Sequence, residues 1–281
     1  MIQKAMDRNE PDTLVIRASK GWAALNLRDL WKYRELLYFL VWRDVKVRYK
    51  QAILGILWAV LVPVVNIVVF SFVFGILFHQ NQTVPNYPLL AATGQLPWGL
   101  FAGALGRCSL SLVGSSNLIT KVYFPRLAIP IASVLSGLVD FGIAFLIVMG
   151  FMVYYHTPLT WNLLWLIPLT LMVLLTSLAV GLWLAALNVR YRDVQHIVPF
   201  LIQIWMYASP VAYSTSLVMG KTRLIYGLNP MAGVIQGFRW ALINGDPPGE
   251  LFIISIVMVL ILLISGLFYF RRMERTFADM I

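Results

Sequence analysis

Charge is the first thing this sequence has little of. Only 12% of its 281 residues are Asp, Glu, Lys or Arg, about half the share in an ordinary soluble domain. Three long stretches, 51–106, 141–189 and 251–270, carry no charged residue at all. Cysteine occurs once, as Cys108, so no intramolecular disulfide is possible, and inside its apolar run it reads as a small packing residue. The three histidines, His79, His156 and His196, fall in separate connections. They offer no metal-ligand spacing and no Ser–His–acid arrangement. A phosphate-binding loop is missing too: Gly220-Lys221-Thr222 resembles the end of one, but Thr215 stands where that motif needs its first glycine. These absences exclude a cytosolic globular enzyme, and any ATP must be bound by another polypeptide.

What is present is apolar: 60% hydrophobic residues and a mean hydropathy of +0.78. A spanning helix needs about 20 mostly apolar residues, and backbone in lipid must satisfy its own hydrogen bonds. Polar, turn-rich segments at 79–88 and 156–162 divide the runs. The reading is an all-α membrane protein with spans at 53–78, 89–116, 129–155, 163–187, 194–213 and 251–270. The 22 Lys+Arg against 12 Asp+Glu give a formal charge of +10. Basic residues on one soluble face would suggest nucleic acid, but these flank apolar runs, and no nucleic-acid partner is expected. Eleven precede residue 51, and Lys121, Arg126, Arg190, Arg192, Arg271, Arg272 and Arg275 fall on the same side. The positive-inside rule makes that side cytoplasmic, with both termini inside. Lys221, Arg223 and Arg239 are then external, as is the sequon Asn81-Gln82-Thr83. The fifty charged or mixed residues before the first long apolar run do not read as a signal peptide.

Residues 26–50 read as an amphipathic interfacial helix, after a cytoplasmic tail at 1–25. Asn26 is placed to cap it, with Asp29 three residues on. Arg43, Lys46 and Lys50 form a basic stripe, Leu36, Leu37, Leu40 and Val41 are apolar, and Trp31, Tyr33, Tyr38 and Trp42 suit the headgroup zone. Such a helix is an anchor on membrane lipids or, more sharply, a gate that meets an amphiphilic substrate. The connection 116–130 mixes Lys121 and Arg126 with Tyr123 and Phe124, which look exposed, and with Pro125 and Pro130. It is either a membrane-skimming turn or an insert for a partner's groove. Residues 188–199, with Arg190, Tyr191, Arg192 and Asp193, form a second such element.

Between the fifth and sixth spans, Asn229-Pro230 is a cap with proline in the first turn. Met231, Val234, Ile235, Phe238 and Leu242 follow at helical spacing up to Asn244-Gly245. These roughly 14 residues cover about 21 Å, so the helix is re-entrant or interfacial. Arg107 and Asp140 are the ionisable groups left inside the spans, both about 14–17 Å from the cytoplasmic face. Lone charges at that depth are costly, which predicts a structural ion pair. Gly99-x-x-x-Gly103 with Gly106 permits close helix approach, and Pro63 with Asn66 is placed to kink the first span. Trp58, Phe70, Phe72, Phe74, Trp205 and Tyr207 are candidates to line a conduit, with lipid contact or core packing the plainer role for each.

Four segments together resemble the permease subunits of type-2 ABC exporters that move polysaccharides such as O-antigen, capsule and teichoic acid. They are LYFLVWRDVKVRYKQAILGILWAVLVP at 37–63, LITKVYFPRLAIP at 118–130, ALNVRYRDVQHIVPFLIQIWMYASPVAY at 186–213 and LNPMAGVIQGFRWAL at 228–242. The resemblance covers about residues 30–275. It implies a homodimer in the bacterial cytoplasmic (inner) membrane, bound to two copies of a separate ABC ATPase that holds the ATP and Mg²⁺, with no cofactor on this chain. It also implies that 118–129 and 189–193 are coupling elements on that ATPase, with Lys121, Tyr123, Phe124, Pro125, Arg126, Arg190, Tyr191, Arg192 and Asp193 carrying the contact. The gate would be Tyr38–Lys50, with Tyr38, Trp42, Arg43, Lys46, Arg48 and Lys50 near a lipid-linked glycan, and 214–250 would form re-entrant external helices. A cytoplasmic tail follows at 274–281. A type-2 permease for a drug or small lipophile would share the spans, and a membrane-embedded glycosyltransferase would meet the same lipid-linked sugars. The latter should show acidic loop clusters, whereas the cytoplasmic connections offer only Asp193.

Overall fold

A computed structural model describes residues 31–50, 55–77, 79, 86–213, 226–274 and 276–280. The expected cap at Asn26, the tail 1–25, the sequon at 81–83 and the tripeptide at 220–222 lie outside the described residues. Within them the chain is helical and no strand occurs. In order, the helices are α1 (Arg34–Lys50), α2 (Gly55–Phe70), α3 (Tyr87–Leu110), α4 (Ser116–Lys121), α5 (Ala128–Leu135), α6 (Gly137–Tyr154), α7 (Leu166–Arg190), α8 (Val194–Tyr207), α9 (Pro230–Ile243), α10 (Gly249–Glu274) and α11 (Phe277–Met280).

Local chemistry sets many of the boundaries. Asn86, in the left-handed region with φ 57°, turns the chain into α3, and proline follows in the first turn, where its missing N–H is harmless. In α2, rich in β-branched residues, Pro63 removes one backbone hydrogen bond. Further along, the winding widens into a π-helical stretch over Ser71–Leu77, where Ser71 Oγ donates to the Ile67 carbonyl at 2.6 Å. The α5–α6 junction falls at Ser136-Gly137, and a Cβ at Gly137 would overlap Arg107 Nη2. Glycine there makes room for the guanidinium.

Leu57–Leu77, Ala128–Tyr154, Trp161–Arg190 and Gly249–Glu274 are long and apolar enough to cross a bilayer. Tyr87–Leu110 with Val113–Lys121, bent by 56°, makes a fifth if the pair is one span. The expected count was six. The difference lies in α8, whose 14 residues rise about 21 Å, short of a hydrocarbon core of about 30 Å. Pro210, three residues past its end, has no N–H to donate back to the Met206 carbonyl, which accepts from Ser209 N instead.

Helix α7 is the centre, packed along α3 on one side and α10 on the other. Small residues set these contacts. A Cβ at Gly181 would stand 2.5 Å from Cys108 Sγ of α3, and one at Gly266 2.5 Å from the Ala179 carbonyl of α7. Trp183 stacks on Tyr269 at 4.2 Å between α7 and α10. The expected Gly99–Gly103–Gly106 stripe does none of this. Gly99 faces open space, Gly103 faces Arg107 of its own helix, and Gly106 meets only Ile202 at 4.0 Å. Spacing identifies a small-residue face but not whether a helix lies opposite it.

Two ends can be distinguished. At the basic end, Asn188 Nδ2 donates to the Ser109 carbonyl at 3.1 Å, and Arg126 Nη1 donates to the Glu274 carbonyl. The C-terminal ends of α3, α7 and α10 therefore gather there. At the opposite end, the Tyr87 hydroxyl donates to the Ala212 carbonyl, joining the start of α3 to the chain after α8.

Gly266→Ala is expected to lower stability, because the added methyl meets backbone; overpacking of this kind costs about 1–3 kcal/mol. Gly142→Ala in α6, where a Cβ meets nothing within 4 Å, should be neutral or stabilising by about 0.5–1 kcal/mol. Thermal unfolding of both variants in the same detergent checks the contrast.

Candidate functional site

Helix α1 lies against α5 and buries Leu40 in a cluster with Ile119, Phe124, Leu127, Ala128 and Ile129. Leu36, Leu37 and Val41 pack against the same cluster, as the sequence suggested, but the exposed side is not purely polar. Tyr38, Phe39, Trp42 and Val47 are exposed, and so are Arg43, Lys46 and Lys50. Both kinds of side chain suit a headgroup zone. Lys46 Nζ sits 4.1 Å over the Trp42 ring, and Arg43 pairs with its neighbour Asp44 at 2.9 Å.

Arg48 and Tyr49 turn inward. The Arg48 guanidinium pairs with Asp140 Oδ2 and reaches Ser136 Oγ at 3.4 Å, and the Tyr49 hydroxyl donates to Asp140 Oδ1. Burial, then that hydrogen bond, pushes the Tyr49 hydroxyl up to about 12, so it stays a neutral donor. Arg107 Nη1 stands 3.5 Å from the same carboxylate and its Nε 3.3 Å from the Ser133 carbonyl. Sequence reasoning paired Arg107 with Asp140; the structure adds Arg48 and Tyr49, so two guanidiniums and a phenol share one carboxylate. Arg48 was singled out only as a gate residue, because a separation of 92 positions carries no register.

At the basic end, Tyr123 is 69% exposed and Lys121 is exposed, while Pro125 and Arg126 are partly covered. Phe124 corrects the sequence reading: it is only 5% exposed, in one cluster with Phe270 and Phe277. The C-terminal helices supply apolar surface that the connection alone lacks, and the ring turns into it. Arg190, Tyr191, Arg192 and Asp193 are all exposed, with Arg190 5.2 Å over the Tyr191 ring.

The conduit candidates do not gather around one space. Trp58, Phe72 and Tyr207 are exposed, whereas Phe70 and Phe74 pack on each other at 5.9 Å. Trp205 stands edge-on to Phe101 at 5.0 Å and donates to Asn229 Oδ1 at 2.9 Å, which makes it a packing residue of this chain. A cavity of about 220 Å³ does lie between α2, α3 and α6, with Trp58, Asn66, Gln95, Asp140 and Phe141 in its wall. Among the described residues no three His, Cys, Asp or Glu side chains come together as a metal site requires.

The end opposite the basic one is clamped by α9. Asn229 caps it by accepting from Met231 N, while its Nδ2 donates to the Ala208 carbonyl and Ser209 Oγ. Arg239, expected at an external surface, is only 6% exposed and donates to the Tyr213 and Val211 carbonyls at 2.8 and 2.9 Å. A lone arginine on a helix apolar all round needs buried acceptors, and that was the available signal. The Tyr213 and Tyr226 hydroxyls meet at 2.6 Å, and burial, then this bond, holds the Tyr226 hydroxyl above its usual range.

A chain with several apolar spans, tied at its basic end and carrying a surface helix there, is a multi-pass membrane protein. The pattern of the ABC-2 type transporter family matches residues 35–243, well over half of the chain, and the chain belongs to that family. Such subunits work with an ABC ATPase. The chain is 34% identical over 256 residues to the O-antigen export system permease protein RfbA of Myxococcus xanthus, covering 88% of this chain and 96% of that one. It is 30% identical over 250 residues to an RfbA of Klebsiella pneumoniae, covering 88% and 95%. The polysialic acid transport protein KpsM of Escherichia coli is 21% identical over 205 residues, covering 72% and 79%.

A double-mutant cycle checks the carboxylate cluster. Arg48→Ala with Asp140→Ala should show a coupling of about 0.5–3 kcal/mol in thermal unfolding. Arg43→Ala with Asp140→Ala should show none, since Arg43 is tied to Asp44.

Proposed function

We propose that this chain is the membrane subunit of an ATP-driven exporter of lipid-linked polysaccharide of the O-antigen or capsule type. The observation that carries the mechanism is the seating of α1 on α5, the helix that begins where the connection 122–127 ends. In this reading the basic end is cytoplasmic, both termini lie on that side, and the membrane is the bacterial inner membrane. Two copies of the chain pair, and two ATPase subunits bind ATP and Mg²⁺. Helix α8 with the residues up to 213 completes a sixth span, and α9 is re-entrant from the outer side.

Tyr123, Lys121, Arg190, Tyr191 and Arg192 are the exposed side chains that meet the ATPase. Aromatic rings and arginines at the centre of an interface are its usual anchors. Phe124 acts beneath them, by fixing the connection on α10 and α11. Closure of the ATPases on ATP moves this connection, and α5 carries the movement to α1. Helix α1, with Tyr38, Trp42, Arg43, Lys46 and Lys50 facing the headgroup zone, then gates access for the lipid-linked glycan. The full-length relatives named for O-antigen export support this choice of substrate.

Export of radiolabelled lipid-linked glycan, with ATP, by the chain and its ATPase in proteoliposomes tests the function directly; no ATP-dependent export refutes it. Tyr123→Ala with Arg192→Ala should leave the subunit in the membrane and lower glycan exported per ATP about tenfold, the loss of roughly 1.4 kcal/mol of coupling. Export per ATP equal to the unsubstituted pair would overturn the coupling assignment.

A further inference from the structure

The cavity between α2, α3 and α6 has an unusual wall for an apolar bundle. Most of it is aliphatic, yet Asn66 of α2, Gln95 of α3 and Asp140 of α6 converge on it, beside the rings of Trp58 and Phe141. Gln95 Oε1 is buried and has no hydrogen-bond partner. A buried acceptor left without a donor is costly, so a donor from a water or a ligand belongs there. The Asp140 oxygens already receive Arg48, Tyr49 and Arg107, which leaves the two amide side chains to serve an occupant.

The size limits what that occupant is. At about 220 Å³ the space falls below the roughly 300–1,000 Å³ of pockets for drug-sized ligands. It takes one ring, not a run of them. A prenyl or acyl chain would be served by the aliphatic wall and would leave Gln95 Oε1 orphaned. A hydroxylated ring donates to that oxygen, accepts from the amide N–H groups, and lays its apolar face on an indole. Ordered water in such a cavity is exchangeable for hydroxyls that reproduce its hydrogen bonds.

We propose that this cavity binds a single sugar ring, with Gln95 and Asn66 as its hydroxyl partners and Trp58 as its stacking face. The inference rests on the glycan-export reading above and assigns one ring of that substrate a place within a single subunit.

Gly99 lines the cavity, and a Cβ there meets nothing within 4 Å, while Cys108, the sole native thiol, is fully buried. Gly99→Cys therefore reports on the cavity without rearrangement. In proteoliposomes holding the chain and its ATPase, labelling of Gly99→Cys by a small thiol reagent is timed with methyl hexopyranosides, methyl N-acetylhexosaminides or farnesol. At about ten times its dissociation constant, a binding glycoside should slow labelling about tenfold. Adding Gln95→Leu should abolish the protection, and farnesol should not protect. Protection by farnesol alone, protection unchanged by Gln95→Leu, or no protection by any glycoside overturns the proposal. If Gly99→Cys does not label, Ala144→Cys on the facing wall takes its place, and failure of both means a closed cavity and also overturns it. Glycan export by the unsubstituted pair is measured alongside. Export without protection refutes only the sugar site; protection without export supports a sugar site and refutes the export reading.

Discussion

Helices in lipid gain nothing from hiding apolar surface from water, so this bundle depends on how closely its central helices approach. Helices α3 and α7 carry most of the packing between them, and Gly181 and Gly266 mark where α3 and α10 come nearest to α7. Dispersion between closely packed atoms takes the role that the hydrophobic effect has in a soluble core. Once α3, α7 and α10 are set side by side, their C-terminal ends fall together. The connections that leave them then form one surface instead of several separate loops.

Charge is handled differently at the two ends. Toward the basic end a carboxylate is present, and Asp140 holds Arg48, Arg107 and Tyr49 from two other helices. At the opposite end Arg239 meets no acid among the described residues and is held by the Val211 and Tyr213 carbonyls after α8. Carbonyl dipoles solvate a guanidinium without needing a second charge, and they tie it to the course of the chain. An arginine held by carbonyls locks a loop in shape. A carboxylate shared by two arginines instead joins three helices through side chains alone.

Much of this was legible in the sequence, because burial in lipid writes itself into composition. The apolar runs marked the long helices, and Asn229-Pro230 and Asn244 marked the bounds of α9 by their capping chemistry. What the sequence did not show is what faces what. Phe124 looked exposed because its local neighbours are basic, and only the return of Phe270 and Phe277 buries it. Gly99-x-x-x-Gly103 had the right spacing but no close helix contact, while the glycines at the close approaches, Gly181 and Gly266, belong to no Gly-x-x-x-Gly pair. Arg48 was indistinguishable from the other basic residues of α1 until α6 was placed beside it. Length was the least legible: 194–213 reads as a span by composition, and its regular helix covers only the part up to Tyr207.

Helix α1 is fastened toward its start by Leu40, with Leu36, Leu37 and Val41, in the cluster beneath the connection, and toward its end by Arg48 and Tyr49 on Asp140. Leu40 and Arg48 mark the two anchorages. They are eight residues apart, about 12 Å along the axis. A stiff rod fastened so has one easy motion. If the Leu40 end shifts by about 2 Å while Arg48 stays as the pivot, the rod tilts by about 10°. The lever ratio, set by where two side chains fall on one helix, makes Asp140 the fulcrum. A small displacement of the connection then becomes a rotation of the exposed surface that carries Tyr38, Trp42 and Lys46.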